Sequence, residues 1–391
     1  MALSRTQSTF APPVQEARRW LDGIQFPVDR ALINVSQAAP ATAPPLAMRE
    51  AMAEILVSEP ASHLYGPTLG LEALRTEVAK QWSTSYGGDI AKGEVAITSG
   101  CNQAFAAAIT SLCSAEDEVI LPTPWYFNHK MWLDMSGVQS VSLPTDSSLL
   151  PDPEKARALI TPRTRAIVLV TPNNPAGVEY PSDLVGAFFE LAQEHGIALI
   201  VDETYRDFDS RLGAPHDLFS RSNWQDTLIQ LYSFSKAYRL TGHRVGAIVT
   251  SQARLAEVEK FLDTVTICPS QIGQRGALWG MQNLGQWLAS ERKEILTRRS
   301  TIETEFSQLA VRGWKLLGLG AYFAYLKHPF PDKSDALVKR MVAEQSILCL
   351  PGTMFRPNSD PAAHGELRIA FANIDSDGIK TLFKRLEMMC G

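Results

Sequence analysis

Cysteine is scarce in this chain. Five occur among 391 residues, at positions 101, 113, 268, 349 and 390, with no C-x-x-C spacing. That usage implies neither a disulfide framework nor a zinc site. The seven histidines show no ligand spacing with acids or cysteines either, so no metal is expected. Long hydrophobic runs are also missing. Asp, Glu, Lys or Arg interrupts the longest apolar stretches, which leaves no candidate for a membrane-spanning helix. No run of five like charges occurs, and the net charge is -5, which argues against a nucleic-acid partner. The opening segment, MALSRTQSTFAPPVQEARRW, has no apolar core, so a secretory signal is not expected and the cytoplasm is the expected compartment.

What is present is an ordinary globular balance, 45% hydrophobic and 20% charged, in a chain long enough for two domains. Segment 1–45 is rich in Pro and Ala and is expected to form an arm with a short helix from Val14 to Leu21, contributing to a smaller domain. Over 46–283, short apolar runs alternate with helical patterns. The runs are EVAITSG, DEVILPT, VQSVSLPT, RAIVLVTP, IALIVDE, TLIQLYSF and VGAIVTS. Strands apolar on both faces, separated by helices such as DLVGAFFELAQEHG, predict an α/β domain with a mostly parallel seven-stranded sheet covered on both sides. Over 284–391 the pattern changes. A long charged helix, WLASERKEILTRRSTIETEFSQLA, leads to strands AYFAYLK, ILCLPG and ELRIAFAN, which predicts a smaller α+β domain.

Open α/β sheets bind ligands at the carboxyl ends of their strands. Five such ends carry chemistry here: Ser99-Gly100-Cys101-Asn102 opening a helix, Pro124-Trp125-Tyr126, Thr171 to Gly177 with Asn174, Asp202-Glu203-Thr204-Tyr205, and Ser233-Phe234-Ser235-Lys236. A helix N-terminus, an aromatic, an amide, a carboxylate with a phenol, and an amine are thus expected around one crevice. An amine can form a Schiff base with an aldehyde. A carboxylate can hold a pyridine nitrogen protonated. A helix N-terminus with a hydroxyl and an arginine can bind a phosphate. Together these are the requirements of pyridoxal 5'-phosphate.

The ordered set S-x-S-K-x5-G-x-R-x-G (Ser233 to Gly246), NNPAG, D-E-x-Y and a late LRIAFAN resembles the fold-type I pyridoxal-phosphate enzymes. Within them it is most similar to the class I/II aminotransferases of the aspartate aminotransferase superfamily, from about Leu32 to the C-terminus. The resemblance implies residue roles. Lys236 corresponds to the Schiff-base lysine and proton shuttle, and Asp202 to the partner of the pyridinium nitrogen. Asn174 and Tyr205 correspond to donors to the cofactor's phenolic oxygen. Ser233, Arg244 and the amides near Gly100, Cys101 and Asn102 correspond to the phosphate cup, with Ser235 a weaker member. Tyr126 corresponds to the ring stacked on the cofactor, with Trp125 its competitor. Arg368 corresponds to the clamp on the substrate carboxylate. Tyr65 corresponds to a tyrosine lent by a second subunit, which implies a homodimer with shared sites.

Three departures stand out. Ala176 replaces a threonine common in the family. Arg239 occupies a usually small or aliphatic position and points either outward or toward the site. Ala38 or Ala39, in VSQAAP, replaces a usual glycine and is expected to narrow the substrate pocket. Near the place where one aspartate-specific subgroup carries a second, partner-lent arginine stands Asp263, which argues against that subgroup. The implied activity is ping-pong transfer of an amino group from an L-amino acid to a 2-keto acid. Two other readings stay open: β-elimination at a C–S bond on the same cofactor, and a non-catalytic regulator that only binds it.

Overall fold

The computed structural model describes residues 4–390; positions 1–3 and 391, at the outer edges of the two terminal segments, lie outside it. Seven strands form the main sheet: β1 (Val95–Thr98), β2 (Glu118–Thr123), β3 (Gln139–Pro144), β4 (Thr164–Val170), β5 (Ala198–Asp202), β6 (Leu228–Ser233) and β7 (Gly246–Val249). Their order is β1-β7-β6-β5-β4-β2-β3. Every pairing is parallel except those of β7, which runs antiparallel to both β1 and β6. The expected α/β class and mostly parallel seven-stranded sheet are therefore what the chain forms.

Side-chain alternation divides each central strand between two cores. Ile97, Ile120, Ile167, Leu169, Leu199 and Val201 face helices Glu72–Tyr86, Ser182–Glu194 and Gln271–Asn283. Their neighbours Ala96, Val119, Leu121, Ala166, Val168 and Ile200 face helices Cys101–Leu112, Phe127–Ser136 and Gln252–Thr266. Both faces are covered, so the strands show no polar alternation. Only edge strand β3 is largely unburied.

A third core joins Ala17, Val35 and Ala38 to residues beyond 290, including Ile302, Phe323, Leu367 and Leu382. It packs a four-stranded antiparallel sheet, Leu350–Pro351, Glu366–Ala370, Phe323–Lys327 and Lys315–Gly320, with helices Gly285–Ala310, Ser334–Gln345 and Ser376–Met388. The N-terminal segment is stitched into it. Ile33–Asn34 pair in parallel with Ile347–Leu348, and the Ala370 amide donates to Val35 O at 2.8 Å.

Three local expectations change. The early helix runs Pro13–Arg19, ending two residues before Leu21. ILCLPG divides at Cys349 into two two-residue strands in different sheets. Lys315–Gly320 is a further strand that its glycines conceal. A Cβ at Gly318 or Gly320 would stand 2.3 Å from the carbonyl oxygens of Ala176 and Gly177, so the main chains meet there without side chains.

Candidate active site

Parallel strands bring their carboxyl ends to one edge, so β5 and β6 deliver Asp202 and the turn carrying Lys236 side by side. Reversed β7 begins at that same edge, which puts Arg244, two residues before it, beside them. Gly246 makes the approach possible, since a Cβ there would lie 2.6 Å from the main-chain carbon of Gly100. A cavity of 370 Å³ opens at this edge. Its walls hold Cys101, Asn102, Tyr126, Asn174, Asp202, Tyr205, Ser233, Ser235, Lys236, Arg244, Arg368 and Ala38. The size falls within the range of small-molecule sites. A larger space of 490 Å³, bordered by Thr161, Arg165 and His195, lies at the opposite, amino end of β4 and β5 and contains none of these groups.

Lys236 Nζ donates to Ala38 O at 2.6 Å. Burial, with the positive charges of Arg244 and Arg368, lowers its pKa to about 8. Such an amine is largely free at mildly alkaline pH, as an ordinary lysine is not. Asp202 is buried, with Oδ1 accepting from the Thr204 amide at 2.9 Å. Its Oδ2 lies 3.2 Å from His129 Nε2, off the line of a hydrogen bond. Burial pushes the carboxyl up, but His129 and Thr204 outweigh it and hold it below its ordinary value, so it stays ionised. His129 is itself stacked on Phe105, ring centroids 3.8 Å apart.

Arg368 is 1% exposed. Its Nη1 donates to Asn174 Oδ1 at 2.9 Å and its Nη2 to Ser36 O, while Nε has no partner among the described residues. Burial lowers its pKa to about 10, which keeps it charged at neutral pH. A buried guanidinium with an unmet N–H calls for a bound anion. Asn174 turns its oxygen to Arg368 and thereby keeps its NH2 for another acceptor. Tyr205 packs against Tyr322 and Phe323, at 5.3 and 5.1 Å, and burial raises its pKa well above the ordinary value, so it remains a donor. Tyr126 lines the cavity with its hydroxyl 3.2 Å from Asn102 Oδ1. Trp125 is buried outside the cavity, its amide bound to Phe355 O at 2.8 Å.

The donor set fits pyridoxal 5'-phosphate. Helix Cys101–Leu112 begins beside the Arg244 guanidinium, and a Cβ at Gly100 would sit 2.4 Å from Arg244 Nη2. Glycine at φ +90° leaves that corner open for an anion. Arg244 Nη1 also lies 3.4 Å from Ser235 Oγ, so Ser235 belongs with Ser233, whose hydroxyl caps its amide at 3.2 Å. A carboxylate, an anion corner and a depressed amine around one space are the parts that the cofactor's nitrogen, phosphate and aldehyde need.

Several expectations take their final form here. Ala38 meets the site through its main-chain oxygen. Arg239 turns away from the cavity: its Nε donates to Glu291 Oε2 at 3.0 Å, and its guanidinium lies over Trp287 at 5.3 Å. Asp263 is exposed on helix Gln252–Thr266. Tyr65 is 80% exposed and does not reach this chain's cavity. Residue-type reasoning overlooked His129, Thr204, Ser36 and the wall formed by Pro12 to Gln15. His129 had a signal, since it is the third residue after Tyr126 at a helix start that follows a strand end. The main-chain oxygens had none.

The family model for aminotransferase class I and II matches residues 30–386. An aromatic aminotransferase, ISS1, of Arabidopsis thaliana is 28% identical over 99% of this chain and 95% of its own length. A probable aspartate/prephenate aminotransferase of Thermus aquaticus is 28% identical over 83% and 82%. Among solved structures, aspartate aminotransferase from Thermus thermophilus with maleate superposes with a TM-score of 0.88 at 23% identity, covering 99% of both chains. N-succinyldiaminopimelate aminotransferase from Mycobacterium tuberculosis gives 0.88 at 23%, covering 100% of both. The two superpositions show a shared fold, and the match over nearly the whole chain shows its kinship: the protein is a pyridoxal 5'-phosphate-dependent enzyme of the aminotransferase class I and II family.

Proposed function

We propose that this enzyme moves an amino group from an L-amino acid to a 2-keto acid in two half-reactions at the cavity around Lys236. The observation that carries this reading is the buried amine of Lys236, its pKa lowered to about 8, sharing one cavity with the Asp202 carboxylate and the Arg368 guanidinium. Bound pyridoxal 5'-phosphate supplies the electron sink that makes a substrate's α-proton removable. The chain's own groups do the rest. Arg368 holds the α-carboxylate through its free Nε. Lys236 Nζ accepts the α-proton and returns it. Such positioned proton transfer contributes roughly a hundredfold to ten-thousandfold. Asp202 would keep a negative charge beside the ring nitrogen, with His129 and Thr204 holding that charge in place. Asn174 and Tyr205 would donate to the phenolic oxygen. Ser233, Ser235, Arg244 and the amides after Gly100 would take the phosphate. Tyr126 would cover the ring face.

The working form is a homodimer in this reading. Leu64 and Tyr65 on one loop, and Val265 and Ile267 at the C-terminal end of helix Gln252–Thr266, are exposed apolar residues, joined where the Gly66 amide meets Cys268 Sγ at 3.4 Å. That surface suits a second copy, which would bring Tyr65 to its neighbour's phosphate. Two cores drawn almost wholly from 46–283 and a third drawn mainly from 1–45 and 284–391 support a large and a small domain over those ranges, with Phe127, Ala176, Tyr205 and Phe208 of the large one packing into the third. Five unpaired thiols support a cytoplasmic location, and among the described residues no helix is long and apolar enough to cross a membrane.

The test is a half-reaction. Holoenzyme mixed with an amino donor alone should release the matching keto acid in an amount equal to its sites and regain its original spectrum on adding a 2-keto acid. Ammonia and pyruvate produced catalytically from a cysteine conjugate, with no keto acid present, would favour β-elimination instead.

A further inference from the structure

The cavity is short of positive charge on its substrate side. Its three cationic residues are Lys236, Arg244 and Arg368. The proposed function engages each of them, as the amine, the phosphate partner and the α-carboxylate clamp. The wall contributed by the N-terminal segment and its neighbours consists of Pro12, Pro13, Val14, Gln15, Gln37 and Phe127, and none carries a charge. The Arg368 guanidinium lies 5.9 Å from the Phe127 ring centroid, so the carboxylate clamp and an apolar face border the same space. The cavity's one acid is Asp202, which the proposed function engages at the ring nitrogen, so no charge of either sign is left for a substrate side chain.

A further cation stands behind this wall. Arg18 is exposed and donates through Nη2 to Gln37 Oε1 at 2.7 Å, without itself lining the cavity. In the dimer reading, a second copy brings the loops around Tyr65 and Ile267. Segments 59–71 and 261–272 contain no lysine or arginine. An ionised side chain entering this space therefore exchanges water for amides, prolines and a phenyl ring, which disfavours it. An apolar side chain gains from the same contacts.

We propose that the site selects amino donors with uncharged apolar or aromatic side chains and rejects donors with a side-chain carboxylate. This rests on the transaminase reading and names its substrate class. Pro12 to Gln15, Gln37 and Phe127 form the selecting surface.

The experiment gives purified holoenzyme leucine, methionine, phenylalanine, aspartate and glutamate separately, with the keto acid products quantified by mass spectrometry. The best uncharged donor is expected to exceed both dicarboxylates in kcat/KM by at least about thirtyfold, within the range that pocket contacts supply. A smaller ratio, or its reverse, overturns the proposal. Arg18→Gln is measured alongside. It should leave the best uncharged donor within about threefold of its original kcat/KM, since a solvated contact behind the wall contributes little. Dicarboxylate activity that is present and then lost in Arg18→Gln would identify Arg18 as a distal-carboxylate partner and refute selection by lack of charge. Bound cofactor with no conversion of any donor would defeat the transaminase reading, and this inference with it.

Discussion

Lys236 Nζ and Ala38 O meet at 2.6 Å although 198 positions separate the two residues in the chain. The N-terminal segment thus supplies the acceptor that holds the amine whenever it is free. Replacing Lys236 by alanine removes the group that moves the α-proton. Turnover should fall by about a hundredfold to ten-thousandfold. Borohydride treatment of the holoenzyme should attach the cofactor to the Lys236 peptide and to no peptide of the variant, as read by peptide mass spectrometry.

The depressed pKa of Lys236 sets a pH dependence of known sign. An ammonium cannot attack an aldehyde, so uptake of pyridoxal 5'-phosphate by the stripped protein requires the neutral amine. Uptake should rise about tenfold per pH unit below the pKa and level off above about 8. Arg368 is one of the charges that lower this pKa. Arg368→Gln should therefore move the bend to higher pH, as followed by stopped-flow absorbance.

Arg368→Lys keeps the charge and loses the fork. The lysine cannot reach Asn174, Ser36 and a carboxylate together. Loss of a buried, hydrogen-bonded charge contact costs about 2 to 5 kcal/mol. Steady-state kinetics should show kcat/KM for any amino donor reduced about thirtyfold or more, with cofactor affinity nearly unchanged.

Gly100→Ala tests the anion corner. The new methyl would stand 2.4 Å from Arg244 Nη2, on a main chain at φ +90°. A side chain at this positive φ with ψ 164°, a region kept almost wholly by glycine, alone costs about 1 to 3 kcal/mol. Cofactor affinity should drop about tenfold or more, measured by equilibrium titration, while the isolated phosphate ion should lose affinity in parallel.

Arg239→Ala removes the pair with Glu291, in which each side chain is about a quarter exposed. Stability to urea should fall by about 1 kcal/mol or less. Because Arg239 faces away from the cavity, kcat/KM should stay within about threefold. A tenfold loss of activity would show that the pair acts on the neighbouring Lys236 turn.

Much of this arrangement was legible from residue order. Runs apolar on both faces marked β1, β2 and β4 to β7, and the strand-end rule gathered Asn174, Asp202, Tyr205 and Lys236 on chemistry alone. Arg244 obeys a different logic, since it precedes a reversed strand, and only the family motif tied it to the others. Ser36 and Ala38 act through main-chain oxygens, which every residue type carries, so nothing in their identity advertises them. Tyr126 and Trp125 are adjacent aromatics, and the path of the chain into helix Phe127–Ser136 decides which one faces the cavity. Lys315–Gly320 escaped notice because its glycines answer to a neighbouring main chain, a requirement that periodicity does not encode.

The stitching of Ile33–Asn34 to Ile347–Leu348, and of Val35 to Ala370, has a consequence for biosynthesis. The ribosome makes residues 33 to 38 early, yet the strands that receive them emerge more than three hundred residues later. Until then Ser36 and Ala38 have no fixed position, and neither Arg368 nor Lys236 has its acceptor. Contacts this distant in sequence form late and slowly. A nascent chain could bury much of the main sheet and still be catalytically inert until Ile347–Leu348 and Ala370 are in place to receive the early segment.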